Sequence, residues 1–318
     1  MHQPLIIKTH KIRFSCGVFV PLQVKIIGMQ KILFWVLALF FMVACTSNPS
    51  DETKRLTVSI LPQKYFVEKI AGRQFVIDVL VSPGASHETY DPTPRQMMDM
   101  AKSDIYFMNG HLSFEESWKD NFKQNNPNLI LTDVSKGLEI IHGGLHHHAD
   151  GESCGHLGDP HFWLSPKSVK TIASNIHQEL VAVYPEMQEQ FDANYANFLQ
   201  EIDSLDAFAK KELSALKSNT FLIFHPALTY FAKDYGLEQV AIEVDGKNPT
   251  AKGMGEFIDM ARNGNIKLIL IQSQFDVQNA EAIAREIDGE LVQFNPMAEN
   301  WDTEMRATIL KLKKALSQ

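Results

Sequence analysis

Residues 185–216, PEMQEQFDANYANFLQEIDSLDAFAKKELSAL, set Met187, Phe191, Tyr195, Phe198, Ile202, Leu205, Phe208 and Leu213 at spacings near three and four. That is the period of an amphipathic helix. As one helix the run would extend about 48 Å, longer than a single lobe needs and suited to a rod joining two. On both sides of it the chain alternates short apolar runs with amphipathic ones. Before the rod, LTVSIL, FVIDVLV, DIYFM and NLILTDV predict strands, with helices over 63–71, 94–102 and 115–124 and another from Pro166 to about Tyr184. After it, TFLIF, QVAIEV, KLILIQ and ELVQF predict strands, with helices over 228–235, 251–263, 279–288 and 301–316. Strands alternating with helical patterns mean βαβ units and parallel sheets. The fold class is therefore α/β, two Rossmann-like lobes with parallel sheets joined by one long rigid helix. The expected organisation is an N-terminal lobe over 56–184, a linking helix over 185–217 and a C-terminal lobe over 218–318.

Residues 1–44 follow another logic. Met29-Gln30-Lys31 is a short charged start, and Ile32 to Val43 is an apolar run too short for an ordinary membrane span. It closes on Met42-Val43-Ala44-Cys45, which resembles the lipobox of bacterial lipoproteins, with Met42 where leucine is usual. The expectation is a leader and lipoprotein signal peptide over 1–44 with translation starting at Met29, a lipid on Cys45, and a polar tether over 45–55. An uncleaved anchor helix is the alternative, and it puts the protein in the same place. Cys154 is then the one remaining thiol, so no internal disulfide forms and the core must supply the stability. It is either a soft ligand or a solvent-exposed thiol. Removing residues 1–44 leaves 25 basic residues against 38 acidic ones, a net charge of −13. Such a globule has no electrostatic footprint for nucleic acid and suits cations.

Half of the 12 histidines fall in one stretch, IHGGLHHHADGESCGHLGDPHFWLSP over 141–166. Its first part, 142–156, is rich in glycine and nearly free of apolar side chains, so it cannot bury enough surface to order itself. It is expected to be a mobile auxiliary collector of metal through His142, His146, His147, His148 and His156. The second part clamps His161 between Asp159-Pro160 and the Phe162-Trp163-Leu164 anchor. In open α/β sheets, ligands collect where loops leave the carboxyl ends of strands. His87 follows FVIDVLV in the turn Pro83-Gly84-Ala85-Ser86-His87-Glu88, His161 follows the last strand of the first lobe, and His225 follows TFLIF with Pro226 behind it. His111 also sits at a strand end, whereas His177 lies within a predicted helix as a surface or packing residue. Three neutral imidazoles drawn from both lobes suit Zn²⁺, with a fourth place for a carboxylate, a water or another histidine.

With these residues in order the chain resembles the metal-binding subunits of bacterial zinc and manganese ABC importers, the ZnuA/TroA-like cluster. The likeness runs from about Leu56 to the C-terminus. It rests on Pro83 to Glu88, Asn109-Gly110 with Glu115 and Trp118, the His-rich loop, Asp159 to Leu164, and Phe224-His225-Pro226-Ala227 leading to Tyr230-Phe231 and Tyr235-Gly236-Leu237. The resemblance implies a metal held between the lobes by His87, His161 and His225. In the manganese branch one of these histidines is commonly glutamate, so three histidines and the His-rich loop favour Zn²⁺ over Mn²⁺. The family usually places an aspartate near the last strand, where this chain has Asn295; Gln272 or Gln274 stands where it has a glutamate. The fourth ligand is then the Asn295 oxygen, a water or a loop histidine. The implied partners are a membrane permease and its ATPase, with the protein a lipid-anchored monomer at a periplasmic or cell-surface membrane, and not an enzyme. The other classes are a metal-binding adhesin or storage module and a zinc hydrolase using Glu88 as general base. Against the hydrolase, no His-Glu-x-x-His helix is present.

Overall fold

A computed structural model describes residues 54–142, 158–243, 250–272 and 277–317. The chain begins with β1 (Arg55–Val58), α1 (Leu61–Ala71), β2 (Val76–Val79), α2 (Pro94–Met100), β3 (Ile105–Met108), α3 (Ser113–Asn125) and β4 (Ile130–Asp133). All four residues of β3 are buried, as expected of a strand covered on both faces. The strands pair in parallel in the order β2-β1-β3-β4. LTVSIL was expected to be strand throughout, but β1 stops at Val58. The reason is local: the Gln63 side-chain oxygen accepts the N–H groups of Ser59 and Ile60 at 3.0 and 3.2 Å, turning the chain into α1 with Pro62 in its first turn.

A 3₁₀ turn (His161–Leu164) leads into α4 (Pro166–Val183), whose start is capped by the Ser165 hydroxyl with Pro166 in the first turn. The expected single rod is divided. Pro185–Met187 forms a 3₁₀ turn and α5 runs Gln188–Glu212, 25 residues or about 37 Å. The second half repeats the first: β5 (Thr220–Ile223), α6 (Thr229–Tyr235), β6 (Glu238–Ala241), α7 (Ala251–Asn263), β7 (Leu268–Gln272), α8 (Val277–Ile287), β8 (Glu290–Phe294) and α9 (Trp301–Leu316). Its parallel order, β6-β5-β7-β8, is the same permutation as in the first sheet. Each sheet therefore reverses direction of growth beside its first strand, the place where such folds open a crevice. None of the described helices is long and apolar enough to cross a membrane.

Helix α5 touches both lobes. Its first half lies on α1, where Asn194 donates to the Ile70 carbonyl and Glu201 pairs with Lys69. Its second half lies on α9, where Glu212 pairs with Lys313. Between them an aromatic cluster joins α1, α5 and α9. The Phe66 ring stands 5.9 Å from Phe198 and 5.2 Å, edge-on, from Trp301. One apolar core consequently runs from Leu56 in the first sheet to Leu316 in α9, and a second covers the outer face of the second sheet around Leu222 and Ile269. Across the same seam Trp163 Nε1 donates to the Pro296 carbonyl and Trp301 Nε1 to the Trp163 carbonyl. Phe198 is 1 % exposed, so Phe198→Ala is expected to cost about 3–5 kcal/mol. In chemical denaturation the loss should appear as one transition shifted to lower denaturant. Two separated transitions would mean that the seam does not couple the lobes.

Candidate metal centre

Each of the three histidines is fixed by its own local device. After β2 the chain turns at Ser82–Ala85, closed by the Ala85 N–H on the Ser82 carbonyl at 3.0 Å. Pro83 supplies the first corner and Gly84, at φ +81°, the second, the left-handed corner of a type II turn. This turn delivers His87. Asp159 Oδ1 accepts from the His161 backbone N–H at 2.9 Å and from His161 Nδ1 at 2.8 Å, fixing both the main chain and the ring. His225 leaves β5 in a turn closed by the Ala227 N–H on its own carbonyl. Buried Gln272, at the end of β7, brackets the His225 peptide: its Nε2 donates to the His225 carbonyl at 2.8 Å and its Oε1 faces the His225 N–H at 3.4 Å.

These devices bring the rings together. Nε2 of His161 lies 3.1 Å from Nε2 of His87 and 3.3 Å from Nε2 of His225. Two nitrogens bound tetrahedrally to one Zn²⁺ at 2.0–2.1 Å stand about 3.3 Å apart, so the ring spacing is that of a zinc ligand set. The three residues are 3, 4 and 6 % exposed, with the indole of Trp163 packed against the His87 and His161 rings. Beside them Glu88 Oε1 lies 3.2 Å from His225 Nε2, and Glu88 is 36 % exposed at the rim. Buried Glu243, carried past β6 by its N–H on the Phe224 carbonyl, accepts from His225 Nδ1 at 3.2 Å. Among the described residues two groups have metal-ligand spacing, His87 with His161 and His225, and Glu88 with His225 and Glu243. They share His225.

Protonation follows from burial and charge. Burial, then the neighbouring His161 and His225, holds His87 well below the ordinary imidazole range, and its Nδ1 has no hydrogen-bond partner. Burial also pulls His225 down, but the Glu243 hydrogen bond and the charges of Glu88, Glu243 and Asp159 outweigh it and raise the group. Asp159 would rise on burial, yet the His161 charge and hydrogen bonds lower it. The pocket therefore carries carboxylates against imidazoles that cannot all hold protons, a surrounding suited to a divalent cation.

Asn295, one of the three groups considered for the fourth position, is exposed; its Oδ1 accepts the Met297 N–H at 3.0 Å and its own N–H goes to Glu304. An Asx-type turn uses the carboxamide there, and the group standing beside the imidazoles is Glu88 instead. His111 is half-buried against the Phe162 ring at 6.0 Å, and His177 pairs with Asp192 on the surface. His142 is exposed at the edge of the described residues. His146, His147, His148, His156, Cys154, Gln274 and Cys45 lie outside them. Sequence reasoning missed Asp159 and Glu243 as orienting groups, although each left a signal. Asp159 stands two residues before His161 in an Asx-Pro turn, and Glu243 is a carboxylate at a strand end.

The family described as zinc-uptake complex component A, periplasmic, matches residues 56–315. A high-affinity zinc uptake system protein, ZnuA, of Bacillus subtilis strain 168 is 23 % identical over 281 residues, covering 83 % of this chain and 88 % of that protein. A zinc-binding lipoprotein, AdcA, of Streptococcus pneumoniae strain R6 is 26 % identical over 320 residues, covering 91 % of this chain; the chain spans 62 % of that relative's length. The crystal structure of a ZnuA deletion mutant with zinc bound superposes with a TM-score of 0.76 at 34 % identity, over 84 % of this chain and 99 % of that one.

In the metal-free protein, Glu243→Gln removes the charge and the ionic hydrogen bond that raise His225, so His225 should titrate at lower pH in the variant than in the parent. Imidazole NMR shifts followed through a pH series would measure this. An unmoved His225 midpoint would deny Glu243 that role.

Proposed function

This chain belongs to the zinc-uptake complex component A family, and we propose that it is the zinc-capturing subunit of an ABC importer, with His87, His161 and His225 as the ligands of one Zn²⁺. The observation that carries the reading is the convergence of the three Nε2 atoms at 3.1 and 3.3 Å from both lobes. Glu88 or a water completes the tetrahedron. Imidazole nitrogens suit borderline Zn²⁺ better than Mn²⁺, which prefers oxygen donors. Asp159 and Glu243 hold Nδ1 of their histidines, so that Nε2 faces the ion, as outer-shell carboxylates do at zinc sites. The role is capture and delivery, and no bond-breaking step is assigned to the cluster.

Around that site the remaining expectations fit one working cycle. A lipid on Cys45 and the 45–55 tether keep the protein at a membrane, facing the periplasm or the cell exterior. The histidines of 142–156 collect Zn²⁺ weakly, the cleft holds it tightly, and a permease with its ATPase takes it on. Ligand nitrogens must be free of protons to bind, so affinity falls as pH drops through the imidazole range.

Zinc titration by calorimetry, on protein starting at Cys45, tests this. One tight site should persist when residues 142–156 are deleted. With His161→Ala it should weaken by more than the roughly 10–100-fold that an outer-shell loss costs. Loss of tight binding on deleting the loop alone, or its survival in His161→Ala, would refute the cleft assignment.

A further inference from the structure

The motif Asn109–Trp118, NGHLSFEESW, supplies no donor to the imidazole cluster, yet it touches both ligand-bearing segments of the first lobe. Asn109 Nδ2 donates to the carbonyl of Pro160, the residue before His161, at 3.2 Å. Ser113 Oγ donates to the carbonyl of Glu88, the residue after His87, at 3.3 Å. The Phe114 ring meets the Tyr90 ring edge-on at 4.8 Å, and Trp118 Nε1 donates to Asp91 at 2.8 Å.

At the centre of this segment is a buried carboxylate. Glu115 is 3 % exposed; it accepts the Asn109 N–H at 2.7 Å and the Gly110 N–H at 2.6 Å, faces the Leu112 N–H, and accepts the Ser59 hydroxyl. The turn that wraps it has Gly110 at φ +93°, where a Cβ would stand 2.2 Å from Asp133 Oδ1. Only glycine fits there without displacing Asp133. The carboxylate thus fixes the backbone of Asn109, Gly110 and Leu112, and those residues fix where the Asn109 carboxamide and the start of α3 point.

We propose that Asn109–Trp118 is a clamp that sets the separation of the His87 and His161 segments, with Glu115 as its positioning residue and Asn109 and Ser113 as its two arms. The clamp rests on the metal reading of the three histidines. Outer-shell partners of zinc ligands are worth about 10–100-fold in affinity, and the clamp acts at the same remove, through the main chain instead of Nδ1.

The test compares Asn109→Ser, Glu115→Gln and His161→Ala with the parent, using competition of Zn²⁺ against a chromophoric chelator, the visible spectrum of the Co²⁺-loaded protein, and the melting temperature of the metal-free form. Asn109→Ser shortens one arm while keeping the N–H that Glu115 accepts, so it remains informative should Glu115→Gln fail to fold. The clamp predicts zinc binding about 10–100-fold weaker in Asn109→Ser, with altered Co²⁺ band positions and binding still measurable. Zinc affinity within twofold of the parent and an unchanged Co²⁺ spectrum, whatever the melting temperature does, would overturn it. Tight binding that survives His161→Ala would instead defeat the metal reading on which the clamp depends, and the two failures are told apart by the variant that shows them.

Discussion

Three imidazoles carried by two separate sheets meet with neighbouring nitrogens 3.1 and 3.3 Å apart. Under the proposed zinc role, a relative slip of the lobes by about one ångström would take at least one nitrogen out of the 2.0–2.1 Å bonding distance, so that role depends on a fixed seam between the lobes. That seam is built for stiffness. An apolar core passes through it, the two tryptophans exchange indole hydrogen bonds with opposite lobes, and the Tyr230 hydroxyl accepts the Ile141 N–H and donates to the Asp159 carbonyl. Close-packed interiors resist compression and transmit strain, which is what holding a ligand set requires. Helix α5 then serves as a beam along the back of the seam.

The electrostatics follow the same economy of placement. Imidazoles buried side by side repel one another when protonated, and a carboxylate behind a ring reverses that bias for the ring it touches. Glu243, with Glu88 and Asp159 near it, does this for His225, while the His87 Nδ1 has no hydrogen-bond partner. Burial, then its neighbours His161 and His225, drive the proton off that His87 ring. The cluster thus sets one imidazole held neutral beside one that the carboxylates help to keep its proton.

Much of this was legible in the chain. The alternation of apolar and amphipathic runs yields both sheets because strands buried on two faces must be short and apolar, and the strand-end rule marks His87, His161 and His225, together with His111, because loops leave an α/β sheet there. What escaped depends on side chains reaching back to the main chain, which no periodicity records. Gln63 ends β1 three residues before its apolar run ends, and the Asn295 carboxamide closes a turn on Met297. Glu88 was read as a base in the hydrolase alternative, since adjacency to His87 in sequence does not reveal its 3.2 Å approach to His225 from the other lobe. The rod was overestimated because its apolar period continues through Pro185–Met187, where the backbone tightens into a 3₁₀ turn.

Among the described residues, the Glu88 side chain beside the cluster is 36 % exposed, against 8 % for His225 and 4 % for His161. Under the proposed zinc role, a hydrated cation would reach that rim carboxylate before the buried nitrogens. In the same role, a partner that loosens the seam would govern how long the ion stays.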